Sequence, residues 1–249
     1  MTLTVTSTDG IRTLTLARPE VRNALDQSII EGLLEALDQA ELDATVRVVA
    51  IRGAGKDFCA GADLREMLRS ADLPPEINQA SAERLGAVFT RMRRLPKPVV
   101  GLVQGRALAG GAGLATACDL VVATDSAQFG YPEVTRGFVP AMVMTMLRRI
   151  VGERRAFDLV ATGRLLTASE AERWGLVSRV YPDAEFPAAT ETLLRDLAAA
   201  SPTALALIKR LFYDLDDQSF AEGIALGARV NAMARMHPDF KDAVAAFLK

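Results

Sequence analysis

Histidine is almost missing from this chain. His237 is the only one in 249 residues, and it sits in Met236-His237-Pro238-Asp239, a turn-like sequence. A single histidine in such a turn removes Ser-His and Cys-His triads almost entirely and rules out metal sites built from several imidazoles. The two cysteines, Cys59 and Cys118, lie far apart with no CxxC spacing. They fit a reducing compartment and supply neither a disulfide framework nor a ligand set, so no metal is expected. Any acid or base chemistry then falls to a carboxylate. An excess of basic charge is also lacking: the formal net charge is −2, which argues against a nucleic-acid partner. Long apolar runs are absent too. Pro98–Val103 and Leu120–Ala123 have the length of strands and are far too short to span a bilayer. The Thr-rich stretch Met1–Asp9 does not read as a signal peptide. A cytoplasmic protein without a membrane partner is the expectation.

What is present is an ordinary globular composition, half of it hydrophobic, and long enough to bury a sizeable core. Thr2–Ala17 alternates around Asp9-Gly10, a strong hairpin signal. Asp26–Ala44 carries Ile30, Leu33, Leu34 and Leu37 at helical spacing. Strands are expected at Arg47–Ile51, Val99–Val103, Leu120–Ala123 and Leu176–Tyr181. The Pro74-Pro75 pair marks Leu73–Asn78 as a mobile surface loop within a polar helical region. Thr167-Ala168-Ser169-Glu170 is a capping box, and Ser201-Pro202 starts a helix that runs through Tyr213. Phe220–Met236 and Asp239–Leu248 read as helices. Strand–helix alternation followed by a helical tail predicts an α/β fold with a C-terminal helical appendage.

Chemistry is expected where small residues cluster after strands, because only there can backbone approach a ligand closely. Two such segments exist: Phe58-Cys59-Ala60-Gly61-Ala62-Asp63-Leu64 and Gly105–Gly113. Neither is a phosphate cradle of known type. Gly55-Lys56 has Ala50 at the first glycine position of a P-loop and Asp57 after the lysine. Gly111-Ala112-Gly113 continues as Leu114-Ala115-Thr116, which breaks a dinucleotide fingerprint.

Together these segments resemble the enoyl-CoA hydratase/isomerase (crotonase) superfamily. The resemblance begins at Arg18-Pro19-Glu20-Val21-Arg22-Asn23-Ala24-Leu25 and continues through Phe58–Leu64, Lys97-Pro98-Val99 and Ala109-Gly110-Gly111. It runs on through Ala117–Leu120, Phe129–Val134, Ala161-Thr162-Gly163, Ala168–Ala171, Trp174–Val177 and Pro238-Asp239-Phe240. No one motif is strong, but the ordered set is specific. The family resemblance implies a spiral of β-β-α units. Residues 1–190 would form the acyl-CoA-binding core, and residues 191–249 a C-terminal helical trimerisation region.

For mechanism, the resemblance implies that the N–H groups of Ala62 and Gly110 receive the thioester oxygen of an acyl-CoA. Fixed donors stabilise an enolate-like charge without reorganising, and losing one such donor elsewhere has cost roughly 3–4 kcal/mol. Gly110 would also open a helix, adding its dipole. Ala24, Ala60, Asp63 and Leu64 are implied along the coenzyme A, with Arg22 as a phosphate partner. The coenzyme enters only as part of the substrate, so no separate cofactor is implied. Glu133 is the implied acid/base, in a half-buried setting that would raise its pKa toward working pH. A homotrimer or dimer of trimers is implied as the assembly.

The chain departs from the family pattern at Gly113, where well-known hydratases carry a first catalytic glutamate. One carboxylate suffices to move a double bond between the 3,4 and 2,3 positions, which makes a case for a 3,2-enoyl-CoA isomerase. Some bacterial hydratases similarly have Gly-Leu after the glycine step, Glu-Val at Glu133 and Pro-Ala after Val139, and hydration is the favoured reading. A non-catalytic acyl-CoA binder is the third. Candidate pocket walls are Met67, Leu68, Phe89, Tyr131, Phe138, Met142 and Met144, and the Arg65–Glu83 segment is expected as a loop over the ligand.

Overall fold

The computed structural model describes residues 2–249. A hairpin, β1 (Leu3–Thr8) and β2 (Ile11–Leu16), turns through Asp9 and Gly10, both with positive φ. Helix α1 (Gln27–Leu42) follows, capped by Asp26, whose carboxylate accepts from the Ile29 N–H. Then come β3 (Val48–Gly53), α2 (Leu64–Ser70), α3 (Pro75–Arg94), β4 (Val99–Val103), β5 (Arg106–Leu108) and α4 (Gly110–Thr116). The middle of the chain forms β6 (Leu120–Thr124), β7 (Gln128–Gly130), a 3₁₀ turn over Pro132–Arg136, α5 (Ala141–Val151) and α6 (Glu153–Thr162). It closes with β8 (Leu165–Thr167), α7 (Ala168–Arg173), β9 (Arg179–Tyr181), α8 (Phe186–Ala199), α9 (Pro202–Asp214), α10 (Phe220–Met236) and α11 (Pro238–Phe247).

Six strands form one sheet in the order β1-β2-β3-β4-β6-β9, with β1 antiparallel to β2 and the other neighbours parallel. The strands at its centre are apolar on both faces, as buried parallel strands must be. Val49, Ile51, Val99, Val103, Val121 and Ala123 face the larger core beneath α1, α3, α4 and α5. The alternate residues Val48, Ala50, Val100, Leu102 and Val122 face Leu193 and Leu194 of α8 in a second core. Helix α8 therefore covers the far side of the sheet, and residue 190, where the sequence divides core from helical region, falls inside it.

Three features differ from the sequence expectation. The proline pair does not open a mobile loop: Pro75 occupies the first turn of the 20-residue helix α3, where a missing N–H costs nothing. With α2 before it, the Arg65–Glu83 segment is mostly helical. The expected strand over Leu176–Tyr181 is confined to Arg179–Tyr181, because Leu176 and Val177 are buried in the turn leaving α7. A second sheet, β5-β7-β8, was not anticipated; its strands are three residues each, too short to show a period of two.

Candidate active site

Both glycine-rich segments leave the carboxyl ends of β3 and β4, which are neighbours in the sheet. Crevices at such strand ends are where open α/β sheets bind ligands. Two isolated bridges knit the segments together, Leu25 with Ala62 and Cys59 with Ala107. In the first, the Leu25 N–H donates to the Gly61 carbonyl at 2.8 Å and the Asp63 N–H to the Leu25 carbonyl at 2.9 Å. This pairing uses the peptide groups flanking Ala62 and turns the Ala62 N–H away, with no acceptor among the described residues.

The Gly110 N–H is equally unclaimed, at the uncapped start of α4. Ahead of it Ala109 adopts φ 52°, ψ −127°, a conformation that costs an L-residue on the order of 1–3 kcal/mol and that concentrates at functional sites. The Ala109 N–H donates to the Gly130 carbonyl at 2.8 Å, while the Ala109 carbonyl accepts from Gly113 at 2.9 Å. The two segments touch. A Cβ placed on Gly110 would lie 3.5 Å from the Ala62 nitrogen, and one on Gly61 would lie 2.8 Å from the Ala109 Cβ. Gly61, at φ +100°, is required both by conformation and by this close approach. Two unclaimed donors from separate segments thus lie close together.

Glu133 arrives by the small sheet. Strand β7 pairs with β5, setting Gly130 opposite Leu108, and the chain then enters the 3₁₀ turn in which Glu133 is the buried residue. Its Oε2 is buried and has no hydrogen-bond partner among the described residues. Burial pushes its pKa up, against smaller downward pulls from its own backbone N–H and from Arg136. Neighbouring Tyr131 is wholly buried, with its hydroxyl 2.8 Å from Thr116 Oγ1, and belongs to the core. Phe89 is likewise core; Met67 and Met142 are half-buried, and Leu68, Phe138 and Met144 are exposed.

Gly113 is closed over. A Cβ there would lie 2.5 Å from Val143 Cγ2 and 3.3 Å from the tip of the Phe89 ring. A second carboxylate has no room at this position, and the wall is apolar. Cys59 is no substitute nucleophile: burial pushes its thiol up to about 12, so it stays protonated.

The remaining expected residues line the N-terminal segment. Ala24 is buried, Ala60 and Asp63 are half-buried, and Leu64 is exposed. Arg22 is exposed at φ 55°, with its Nε 3.8 Å from Asp57 Oδ2. Burial alone would raise the Asp63 carboxyl, but hydrogen bonds from Arg18 and from the Arg65 and Glu66 N–H groups hold it below the usual range. Asn23, also at positive φ, is fully buried; its amide donates to the Ala54 and Asp57 carbonyls at 2.9 and 2.8 Å. Neither Asn23 nor Arg18 stood out in the sequence beyond its place in the motif. Among the described residues no group of three His, Cys, Asp or Glu side chains is placed to hold a metal ion, and no helix is long and apolar enough to cross a membrane.

The sequence model of the family described as enoyl-CoA hydratase/isomerase matches residues 6–249. The chain belongs to the enoyl-CoA hydratase/isomerase family. Its relatives include a Thermus thermophilus protein named "Putative enoyl-CoA hydratase", 43% identical over 93% of this chain and 91% of that one. A 1,2-epoxyphenylacetyl-CoA isomerase of Escherichia coli is 33% identical over 96% and 92% of the two chains. A crystal structure of an enoyl-CoA hydratase from Mycobacterium smegmatis superposes with a TM-score of 0.95 at 33% identity, over 100% of this chain and 96% of that one. The α/β fold is therefore the crotonase fold, and the chain is an enzyme of this family.

Proposed function

We propose that the protein adds water across the 2,3 double bond of an enoyl-CoA thioester, with Glu133 as its acid/base group. The observations that support this reading are the two unclaimed N–H groups of Ala62 and Gly110, close together, and the buried, unpartnered Glu133, three residues beyond the Gly130 carbonyl that accepts from Ala109. The thioester oxygen would accept from both N–H groups. The Glu133 carboxylate would take a proton from water as its oxygen attacks C3, electron density would move onto the thioester oxygen, and Glu133 would return the proton at C2. Ala24, Ala60, Asp63 and Leu64 would flank the coenzyme A, with Arg22 toward its phosphates. No cofactor beyond the coenzyme A of the substrate is needed. The names of the relatives support hydration as the leading chemistry.

A second reading, 3,2-enoyl-CoA isomerisation, is favoured by Val143 and Phe89 over Gly113. A dry apolar wall suits one base that removes a proton from C2 and returns it at C4, without water. Purified protein mixed with crotonyl-CoA, and separately with 3-hexenoyl-CoA, distinguishes the two by absorbance of the conjugated thioester. Loss of conjugation from crotonyl-CoA supports hydration. A gain from 3-hexenoyl-CoA alone supports isomerisation and overturns the first reading. Silence on both leaves an acyl-CoA binder or a more specialised substrate. A homotrimer or dimer of trimers in the cytoplasm completes the proposal, with residues 191–249 as the assembly region.

A further inference from the structure

Behind the Ala62 donor stands a guanidinium with three acceptors. Arg18 Nη1 donates to the Ala24 carbonyl at 2.9 Å and pairs with Asp26 Oδ2 at 3.0 Å; its Nη2 donates to Asp63 Oδ2 at 3.0 Å. The side chain is only 18% exposed, so these contacts are made largely out of water, where charge-assisted bonds are strong.

The acceptors are not scattered. Ala24 and Asp26 flank Leu25, and Asp63 follows Ala62, so the guanidinium clamps both sides of the Leu25–Ala62 bridge. That bridge needs help, since the chain turns into a helix on each side. Asp26 caps α1 through Oδ1, which accepts from Ile29 at 2.8 Å. Asp63 caps α2 through Oδ1, which accepts from Arg65 and Glu66 at 3.0 and 3.4 Å. Each carboxylate has spent one oxygen on its helix and turns the other to Arg18. Without that charge two carboxylates would face each other at close range, and their repulsion would turn Asp63 and the peptide joined to it.

We propose that Arg18 is a positioning residue that fixes the direction of the Ala62 N–H by clamping Asp26, Asp63 and the Ala24 carbonyl around the Leu25–Ala62 bridge. It acts through Asp63 and not on the substrate. The inference rests on Ala62 being an oxyanion donor, and its test separates the two ideas. The probe is cinnamoyl-CoA, whose absorbance shifts to longer wavelength when its thioester carbonyl is polarised, with no turnover required.

Wild-type protein is expected to bind the probe and shift its band. Arg18→Met should bind it, lose most of the shift, and lose about 10- to 100-fold in kcat on the turned-over enoyl-CoA with KM little changed, as displaced catalytic groups do. Arg18→Lys keeps the charge without the fork and should recover part of both. Asp63→Asn retains a good helix cap but weakens the clamp, and should fall between. A folded Arg18→Met protein with full shift and full kcat overturns the proposal. Should Arg18→Met fail to fold, normal shift and kcat in both Arg18→Lys and Asp63→Asn overturn it instead. A wild-type complex with no shift at all removes Ala62 as a donor, and the positioning role falls with it.

Discussion

Glu133 is held in a setting that works against its own charge, and the consequences can be measured. Its Oε2 is buried without a partner and desolvation raises its pKa. The folded state then binds the carboxyl proton more tightly than the unfolded chain does. Stability attributable to this group is greatest at low pH, declines from about pH 4 upward through the raised folded-state pKa, and is flat beyond it. Glu133→Gln, neutral at every pH, should therefore have a higher urea midpoint than wild type at pH 8, the difference closing near pH 4. The same variant should lose about 10²- to 10⁴-fold in kcat, the range of a single general acid–base group. Wild-type kcat should fall as pH drops through the raised pKa, because in the proposed reaction it is the carboxylate form that takes the first proton. Equal stability profiles for the two proteins would show that the burial is relieved in solution. Gly113 leaves little room for a carboxylate beside its neighbours. Restoring a glutamate there collides with Val143, whose branched side chain is stiff within α5. Gly113→Glu should destabilise by about 1–3 kcal/mol in urea unfolding, as overpacking does, and should not raise the hydration rate. Pairing it with Val143→Ala opens the space and should restore much of the lost stability.

At the scale of elements, α9 is fastened to the core by a buried charge. Lys209 Nζ donates to the Met92 and Lys97 carbonyls at 2.7 and 2.9 Å and pairs with Asp119 Oδ2 at 2.6 Å. Asp119 in turn accepts from the Val99 N–H and the Tyr213 hydroxyl, each at 2.7 Å, so one carboxylate joins β4, β6 and α9. Lys209→Met removes the buried cation and leaves the half-buried Asp119 charge without it, which should cost about 3 kcal/mol in urea unfolding, the lower end for a broken buried pair. Faster hydrogen exchange should be concentrated in α9. Loss confined to exposed helix ends would show that apolar packing holds α9 without the ion pair. None of this network was legible in the sequence, where Lys209 reads as one more helix cation. The elements that were legible are those with a pattern to read: the alternating hairpin around Asp9-Gly10, the helical spacing of α1, and the unbroken apolar runs of β3, β4 and β6. Short elements escaped, because β5, β7 and β8 are made by pairing partners distant in sequence. Pro74-Pro75 misled because proline signals a loop and a first helical turn alike. At the site, the two glycine-rich segments were visible from composition, and their roles came only through family resemblance. The strained Ala109, the buried Asn23 and the Arg18 clamp depend on folded geometry that no local pattern encodes.

Across the whole molecule, the two ends of the chain are packed unequally. The chain from β1 through α8 buries two continuous cores, whereas α10 and α11 contribute no buried residue. Phe220 and Phe247 are each 88% exposed, and Ile208, Phe212, Ile224 and Met236 stand exposed on the same run of helices. Helices with apolar residues left in water are poorly stabilised by propensity alone. Large contiguous apolar patches on soluble proteins mark interaction sites, which makes these helices the place to test for assembly. In the proposed assembly a second copy of the chain would cover these residues, and with a net charge of only −2 like-charge repulsion between copies is small. Sedimentation velocity at micromolar concentration should give a trimer or a dimer of trimers. Phe212→Asp with Phe220→Asp should drive the protein to monomers, while near-ultraviolet circular dichroism of the core stays unchanged. If α10 and α11 depend on that packing, the same double variant should lose helical signal in proportion to those two helices alone. A wild-type protein that sediments as a monomer, with α10 and α11 protected from exchange, would instead mean that the apolar residues fold back within one chain.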